Sequence, residues 1–350
     1  MLRSNRDITC LACERLIYLE IGGVRIESDT LVDIQNLTKY FELRSGIVRK
    51  KTRHVHAVDG ISFSIKRGET TGLVGESGSG KTTAGLTILR LIEPTSGAVF
   101  FEGKDVFKMK KKELIRMRHS MQMVFQDPFT SLNPRLTLYN IDGEGLDVHK
   151  HLEKNEKRKR VIEILETVGL SKRHLDRYPH EFSGGQRQRI AIGRALAVQP
   201  KFLVADEPVA ALDISIRSQV LQLLQDLKKE LELTILFISH DLSVVKYFSD
   251  HVAVMYVGKV VELASTRELF LNPQHPYTEA LLSAVPIPDP TIHRKRIVLK
   301  GDVPTPIDPP PGCRFQGRCP YAEPVCSQKD PQLINTGKAE EHFVACHLKK

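Results

Sequence analysis

Apolar and polar residues alternate through Ile61, Ser62, Phe63, Ser64 and Ile65, the two-residue period of a strand buried on one face. Upstream, LVDIQNLTKYF (residues 31–41) reads as a strand running into a loop, and the charged stretch at 42–60 as an exposed hairpin or loop. TTGLVG (70–75) is a short strand, followed by a helix from about Lys81 that must stop before Pro94. Two further strands, FLVA (202–205) and TILFI (234–238), are apolar throughout, as expected of a parallel sheet covered on both faces. HVAVMYVGKVVELA (251–264) divides into a hairpin about Gly258 and Lys259. The pattern predicts an α/β fold with an antiparallel β subdomain.

Residues 127–180 are richer in charge and in helical periodicity, for example RVIEILETVGL, and read as an inserted helical subdomain. Beyond Asn272 proline becomes frequent, in VPIPDP and VPTPIDPPPG, marking a linker into a small terminal module. The predicted organisation is an extension over residues 1–30, a main domain over 31–272 and a module over 273–350.

A chain of 350 residues has room for this arrangement. Its longest apolar runs are far too short to span a bilayer, and LACERLIYLE near the start is interrupted by Glu14 and Arg15, unlike a signal peptide. Any membrane role is therefore expected to be peripheral. The net charge of +9 comes in short basic blocks such as KMKKKE and EKRKR. These read as solvated faces or as attraction to an anionic cytoplasmic leaflet. No recognition motif or stacking platform accompanies them, so nucleic acid is not an expected partner.

Candidate chemistry sits in three places. GESGSGKT at 75–82 matches G-x-x-x-x-G-K-[ST] between a strand and a helix. Its glycines allow backbone N–H groups to converge on phosphate oxygens at the positive end of the helix. Lys81 would neutralise β- and γ-phosphates, and the Thr82 hydroxyl would ligate Mg²⁺. In KFLVADEP (201–208), Asp206 closes a buried strand where it can hold Mg²⁺, and Glu207 can polarise the attacking water as general base. In FSGGQRQRIAIGRAL (182–196), Ser183 and Gln186 form a capping-box pattern, with a helix expected to run to about Gln199. Gly184 and Gly185 cost helix stability but permit close backbone approach to an anion. Two phosphate-binding helix starts on one chain make sense if each completes a partner's nucleotide site.

With SGGQ in the position of the signature sequence, residues 31–272 resemble an ABC (ATP-binding cassette) ATPase. The resemblance implies a P-loop core binding ATP through Gly75, Glu76, Ser77, Gly78, Ser79, Gly80, Lys81, Thr82 and Thr83. It also implies Gln126 as the glutamine loop touching metal and γ-phosphate, and His240 as the switch histidine. Phe41, or its neighbour Tyr40, would stack on adenine. Ser183, Gly184, Gly185, Gln186 and Asp213 would serve the ATP of a partner ATPase, either a second copy or a related chain. Phe182 stands where Leu is commoner and Ala210 where many members have Ser, without loss of a catalytic group.

A narrower resemblance, to the oligopeptide/dipeptide transporter ATPases, rests on FQDPFTSLNPR, on NPQHPYTEALLSAVP and on GDVPTPIDPPPGCRF followed by RCP. It implies a peripheral subunit on the cytoplasmic face of the membrane, working with two permease subunits and an extracytoplasmic binding protein. Related systems carry oligosaccharides or nickel. A soluble ABC ATPase of DNA repair or translation is the alternative of another class, disfavoured by a single cassette without a long heptad insertion.

Cys313, Cys319, Cys326 and Cys346 are spaced C-x5-C-x6-C-x19-C, whereas 299 residues between Cys13 and Cys313 contain no cysteine. A small module with few apolar residues generally needs a staple, and a disulfide does not suit a cytoplasmic ATPase. Four thiolates suit a [4Fe–4S] cluster, which ATPases of similar transporters carry, or Zn²⁺, although zinc sites favour closer pairs. Buried thiols without a ligand remain the third reading, and Cys10 and Cys13 belong to the N-terminal extension.

Overall fold

The computed structural model describes residues 20–21, 24–25, 29–45, 51–149, 152–285, 296–337 and 340–349. The N-terminal extension with Cys10 and Cys13 lies almost wholly outside them. After a short antiparallel pair at Glu20–Ile21 and Val24–Arg25 come two long antiparallel strands, β1 (Thr30–Ser45) and β2 (Lys51–Lys66). Of the two expected readings of 42–60, hairpin or loop, the structure has the hairpin: β1 does not end in a loop but continues through Tyr40 and Phe41 to Ser45, paired with β2 up to Ser45 and Lys51. Cross-strand pairing sustains a polar ribbon that hydrophobic alternation alone does not reveal.

Then follow β3 (Thr70–Val74), α1 (Lys81–Ile88), β4 (Ser96–Phe101), β5 (Lys104–Asp105), α2 (Lys111–Ser120) and β6 (Met121–Val124). Helices α3 (Pro128–Ser131), α4 (Leu138–His149) and α5 (Lys154–Thr167) occupy the region read as helical. After α6 (Gly184–Leu196), strands and helices alternate as β7 (Phe202–Asp206), α7 (Ile214–Leu231), β8 (Thr234–Ser239) and α8 (Leu242–Phe248). A hairpin of β9 (His251–Tyr256) and β10 (Lys259–Ser265) leads to α9 (Thr266–Leu271) and α10 (Pro276–Ser283). The chain ends with α11 (Pro324–Gln328), β11 (Ile334–Asn335) and β12 (His342–Val344). Helix α6 stops at Leu196, short of the expected Gln199, which takes a positive φ of 58°.

The larger sheet has the order β11-β12-β10-β9-β3-β8-β7-β6, and the five strands from β9 to β6 are parallel. A smaller antiparallel sheet has the order β2-β1-β4-β5. The apolar strands behave as their composition predicts. Leu203 and Ala205 of β7 join the core on one face of the parallel sheet, and Phe202 and Val204 the core on the other. Ile61, Phe63 and Ile65 of β2 are buried, as their alternation requires.

Among the described residues, those of the C-terminal segment form no separate core. Tyr277, Leu282 and Phe315 join the cluster that contains Val74 and Tyr256, and β12 pairs with β10 to widen the large sheet. Docking onto the cassette supplies the apolar contacts that this proline-rich segment lacks. Among the described residues, no helix is long and apolar enough to cross a membrane.

Candidate active site

Neighbouring parallel strands end on a common edge, and the loops leaving that edge build a cleft. In the order β3, β8, β7, β6 they deliver the glycine-rich loop, His240, the Asp206–Glu207 pair and Gln126. The cleft has a volume of ≈ 700 Å³ and is lined by this loop with Thr82, Thr83, Gln126, Glu207 and His240. Val55 and Ala57 of β2, Leu281 of α10 and Pro306 complete the wall.

The loop's shape follows from its glycines at one position above all. Gly80 caps α1 with φ 103°, and a Cβ there would overlap the Ala57 carbonyl. No side chain caps the helix, so the first N–H groups of α1, which a helix leaves without internal partners, are available in the cleft wall. Lys81 is buried, and its Nζ donates to the carbonyl oxygens of Gly75 (2.8 Å) and Glu76 (3.0 Å). Burial holds its ammonium below the ordinary lysine range, opposed by the charges of Glu207, Asp206 and Glu76.

The Thr82 hydroxyl donates to Asp206 Oδ1 at 3.1 Å. Burial pushes the Asp206 carboxyl up to about 6, and the neighbouring Glu207 charge adds to the rise. Two oxygen donors this close, one of them an acid that a divalent cation would hold ionised, fit the hard-oxygen preference of Mg²⁺. Glu207 adopts φ 45°, a left-handed backbone that a non-glycine residue rarely takes and that clusters at functional sites. Its carboxylate accepts from Gln126 Nε2 at 2.9 Å and lies 3.0 Å from His240 Nδ1. The three residues selected from separate motifs therefore meet around one carboxylate.

Of the two candidate aromatics, neither lines the cleft itself. Residues directly opposite across a ladder share a face; Phe41 is opposite Val55, a cleft residue, and Tyr40 is opposite His56. The Tyr40 ring stacks on His56 at 3.9 Å and its hydroxyl donates to Asp59. Tyr40 is thus engaged on the far side, and the alternation leaves Phe41, 39% exposed, on the cleft side.

Ser183 caps α6, accepting from Gln186 N–H, while Gln186 Oε1 accepts from Ser183 N–H at 3.0 Å. This realises the capping box. The tetrad does not line the cleft of its own chain. Gly185 is buried, and a Cβ on it would overlap Ile216 of α7, whereas one on Gly184 would meet only Leu212 at 3.8 Å. Close packing therefore requires Gly185, a reason the sequence did not reveal. Asp213, exposed, precedes α7 beside this helix start.

The cysteine expectation finds no support in the geometry. Cys313, Cys319, Cys326 and Cys346 are free thiols, and burial pushes Cys313 up to about 11. They gather in one region, yet among the described residues no group of three or more His, Cys, Asp or Glu side chains could hold a metal ion. The geometry supports neither the [4Fe–4S] cluster nor Zn²⁺ among these residues.

Other contributors were invisible in the motifs. Leu281 and Pro306 reach the cleft wall from the C-terminal segment. Pro306 O accepts from His56 N–H at 2.8 Å, and Asp308 exchanges backbone and side-chain bonds with His54.

A phosphate loop, a buried aspartate at the next strand but one and a carboxylate held by Gln and His define a P-loop ATPase. Comparison with known proteins narrows the class. Residues 58–210 match the family model described as "ABC transporter", and residues 261–326 match "Oligopeptide/dipeptide transporter, C-terminal region". The chain is 51% identical over 323 residues to the oligopeptide transport ATP-binding protein AppF of Bacillus subtilis, covering 91% of this chain and 98% of AppF. It is 55% identical over 277 residues to OppF of the same organism, covering 79% and 88%. Among solved structures it resembles the dimeric, post-hydrolysis ATP-binding cassette MJ0796 bound to ADP and Pi. The TM-score is 0.60 at 31% identity, covering 68% of this chain and 99% of that one. The structure of cbiO1 from Clostridium perfringens, part of the ABC transporter complex cbiONQ, gives 0.59 at 32%, covering 70% and 92%. The chain belongs to the ATP-binding, ATP-hydrolysing subunits of ABC transporters.

Proposed function

We infer that this chain drives the import of di- or oligopeptides, using ATP hydrolysed in the cleft at the end of β3, β8, β7 and β6. The C-terminal region matches the oligopeptide/dipeptide transporter model, and the relatives AppF and OppF are oligopeptide transport ATP-binding proteins. In this reading residues 31–272 form the nucleotide-binding domain and 273–350 a subfamily-specific module. The subunit sits at the cytoplasmic face of the membrane against two permease chains. A binding protein on the far side delivers the peptide.

Residues 75–83 hold the triphosphate, with Lys81 on the β- and γ-phosphates and Phe41 against adenine. Thr82, Asp206 and Gln126 would hold Mg²⁺, which supplies charge neutralisation on the phosphates. Glu207 accepts a proton from the attacking water, with Gln126 and His240 fixing its carboxylate. Ser183, Gly184, Gly185, Gln186 and Asp213 face the ATP of a second ATPase subunit in a head-to-tail pair. The closure of Gln126 and His240 on the Glu207 carboxylate carries this reading.

The test is Glu207→Gln in the assembled transporter. ATP binding should persist while turnover falls roughly 10²–10⁴-fold, the usual worth of a general base. Turnover close to that of the parent protein would move the base elsewhere, with His240 the next candidate.

A further inference from the structure

The phosphate-loop pattern leaves the residue after its first glycine unspecified, and here that residue is Glu76, a carboxylate beside a site built for anions. Every polar group of Glu76 is occupied. Its N–H donates to the Tyr277 hydroxyl at 2.9 Å. Its carbonyl accepts from Ser79 N–H at 3.2 Å and from Lys81 Nζ at 3.0 Å. Its side chain is gripped by Arg318, whose two terminal nitrogens lie 2.8 and 3.3 Å from the two carboxylate oxygens.

Both anchors come from the C-terminal segment, Arg318 being 242 positions away. They are also well packed. Tyr277 is fully buried and packs on Tyr256 (4.6 Å between ring centroids) and Phe315 (5.5 Å). The Arg318 side chain is only 11% exposed and also donates to the Tyr256 hydroxyl at 3.4 Å. A planar guanidinium engaging a carboxylate at both oxygens fixes geometry as well as charge.

We propose that Arg318 is a positioning residue for ATP, clamping Glu76 from the C-terminal segment so that the lip of the phosphate loop stays shaped for the triphosphate and its carboxylate stays neutralised. The proposal rests on the assignment of residues 75–83 as the ATP site. Without Arg318, Glu76 would be free to shift and would oppose the incoming phosphates with an unpaired negative charge. The Glu207 centre would be untouched, so the effect falls on nucleotide affinity rather than on the chemical step.

The experiment measures binding of a fluorescent ATP analogue with Mg²⁺ to the full chain, and steady-state hydrolysis in the assembled transporter. Arg318→Gln should weaken binding about tenfold, equivalent to about 1.4 kcal/mol, and raise KM for ATP in parallel with kcat within about twofold. Arg318→Lys should recover part of the loss. Glu76→Gln, which breaks the clamp without leaving an unpaired carboxylate, should weaken binding less than Arg318→Gln does, and adding it to Arg318→Gln should cost nothing further, because both changes break one contact. Unchanged affinity in Arg318→Gln, or losses that multiply in the double variant, would overturn the proposal. Should Arg318→Gln fail to fold, unchanged affinity in Glu76→Gln alone overturns it. Lys81→Ala is measured alongside: if it binds as tightly as the parent chain, the ATP-site assignment has failed, whatever Arg318 does.

Discussion

Asp142, on α4, is fully buried, and neither carboxylate oxygen has a hydrogen-bond partner within the described residues. Burial pushes its carboxyl well above the usual range, against the pull of the Arg194 charge. The folded chain therefore keeps a proton that the unfolded chain releases near pH 4. Its contribution to stability is complete in acid and is lost as pH rises from about 4 toward the raised folded value. Asp142→Asn, which carries no charge at any pH, should raise the melting temperature at pH 8 and change it much less at pH 4, as differential scanning fluorimetry would register. A larger gain at pH 4 would contradict this. The buried environment was not legible in the sequence, because DGEGLD reads as a polar helix until α6 covers it. Glu207 is the opposite case. Its place after an apolar strand could be read directly, and only its φ of 45° and its two partners awaited the structure.

At the level of elements, α6 and α7 separate two uses of glycine that the sequence presents as one. Gly185→Ala would drive a methyl into Ile216 and should destabilise the chain by about 1–3 kcal/mol, the usual cost of overpacking. Denaturant unfolding would measure the loss, and Gly185→Ala combined with Ile216→Ala should recover most of it. Gly184→Ala meets only an ordinary contact with Leu212 and should leave stability nearly unchanged. A comparable loss in both variants would remove the packing distinction. The capping box at Ser183 and Gln186 was readable beforehand, since it depends on residues three apart along one turn. The long β1–β2 ribbon was readable only as one of two alternatives, hairpin or loop, since its polar outer half is held by pairing between strands rather than by a buried face.

For the molecule as a whole, the signature helix start lies away from its own cleft, so its function must be tested across subunits. Ser183→Arg should leave nucleotide binding by this chain intact while blocking hydrolysis at the partner's site. In a pair with a Lys81 variant, at most one competent site should remain, visible as at most half of parental ATP turnover. Full turnover by a pair built only from Ser183→Arg chains would refute the shared-site arrangement. By itself the sequence determined what depends on neighbours along the chain: the phosphate loop between strand and helix, the acidic pair after an apolar strand, the capped signature helix and the α/β class. Their physics is local, set by strand and helix periods, by backbone freedom at glycine and by caps within a turn. Tertiary structure alone decided what depends on partners distant in sequence. Cross-strand register turned Phe41 rather than Tyr40 toward the cleft side. Docking of the C-terminal segment placed Arg318 on Glu76 across 242 positions. A one-residue change of strand register reverses which side chains face the cleft, and a salt bridge between remote loops has no period to announce it.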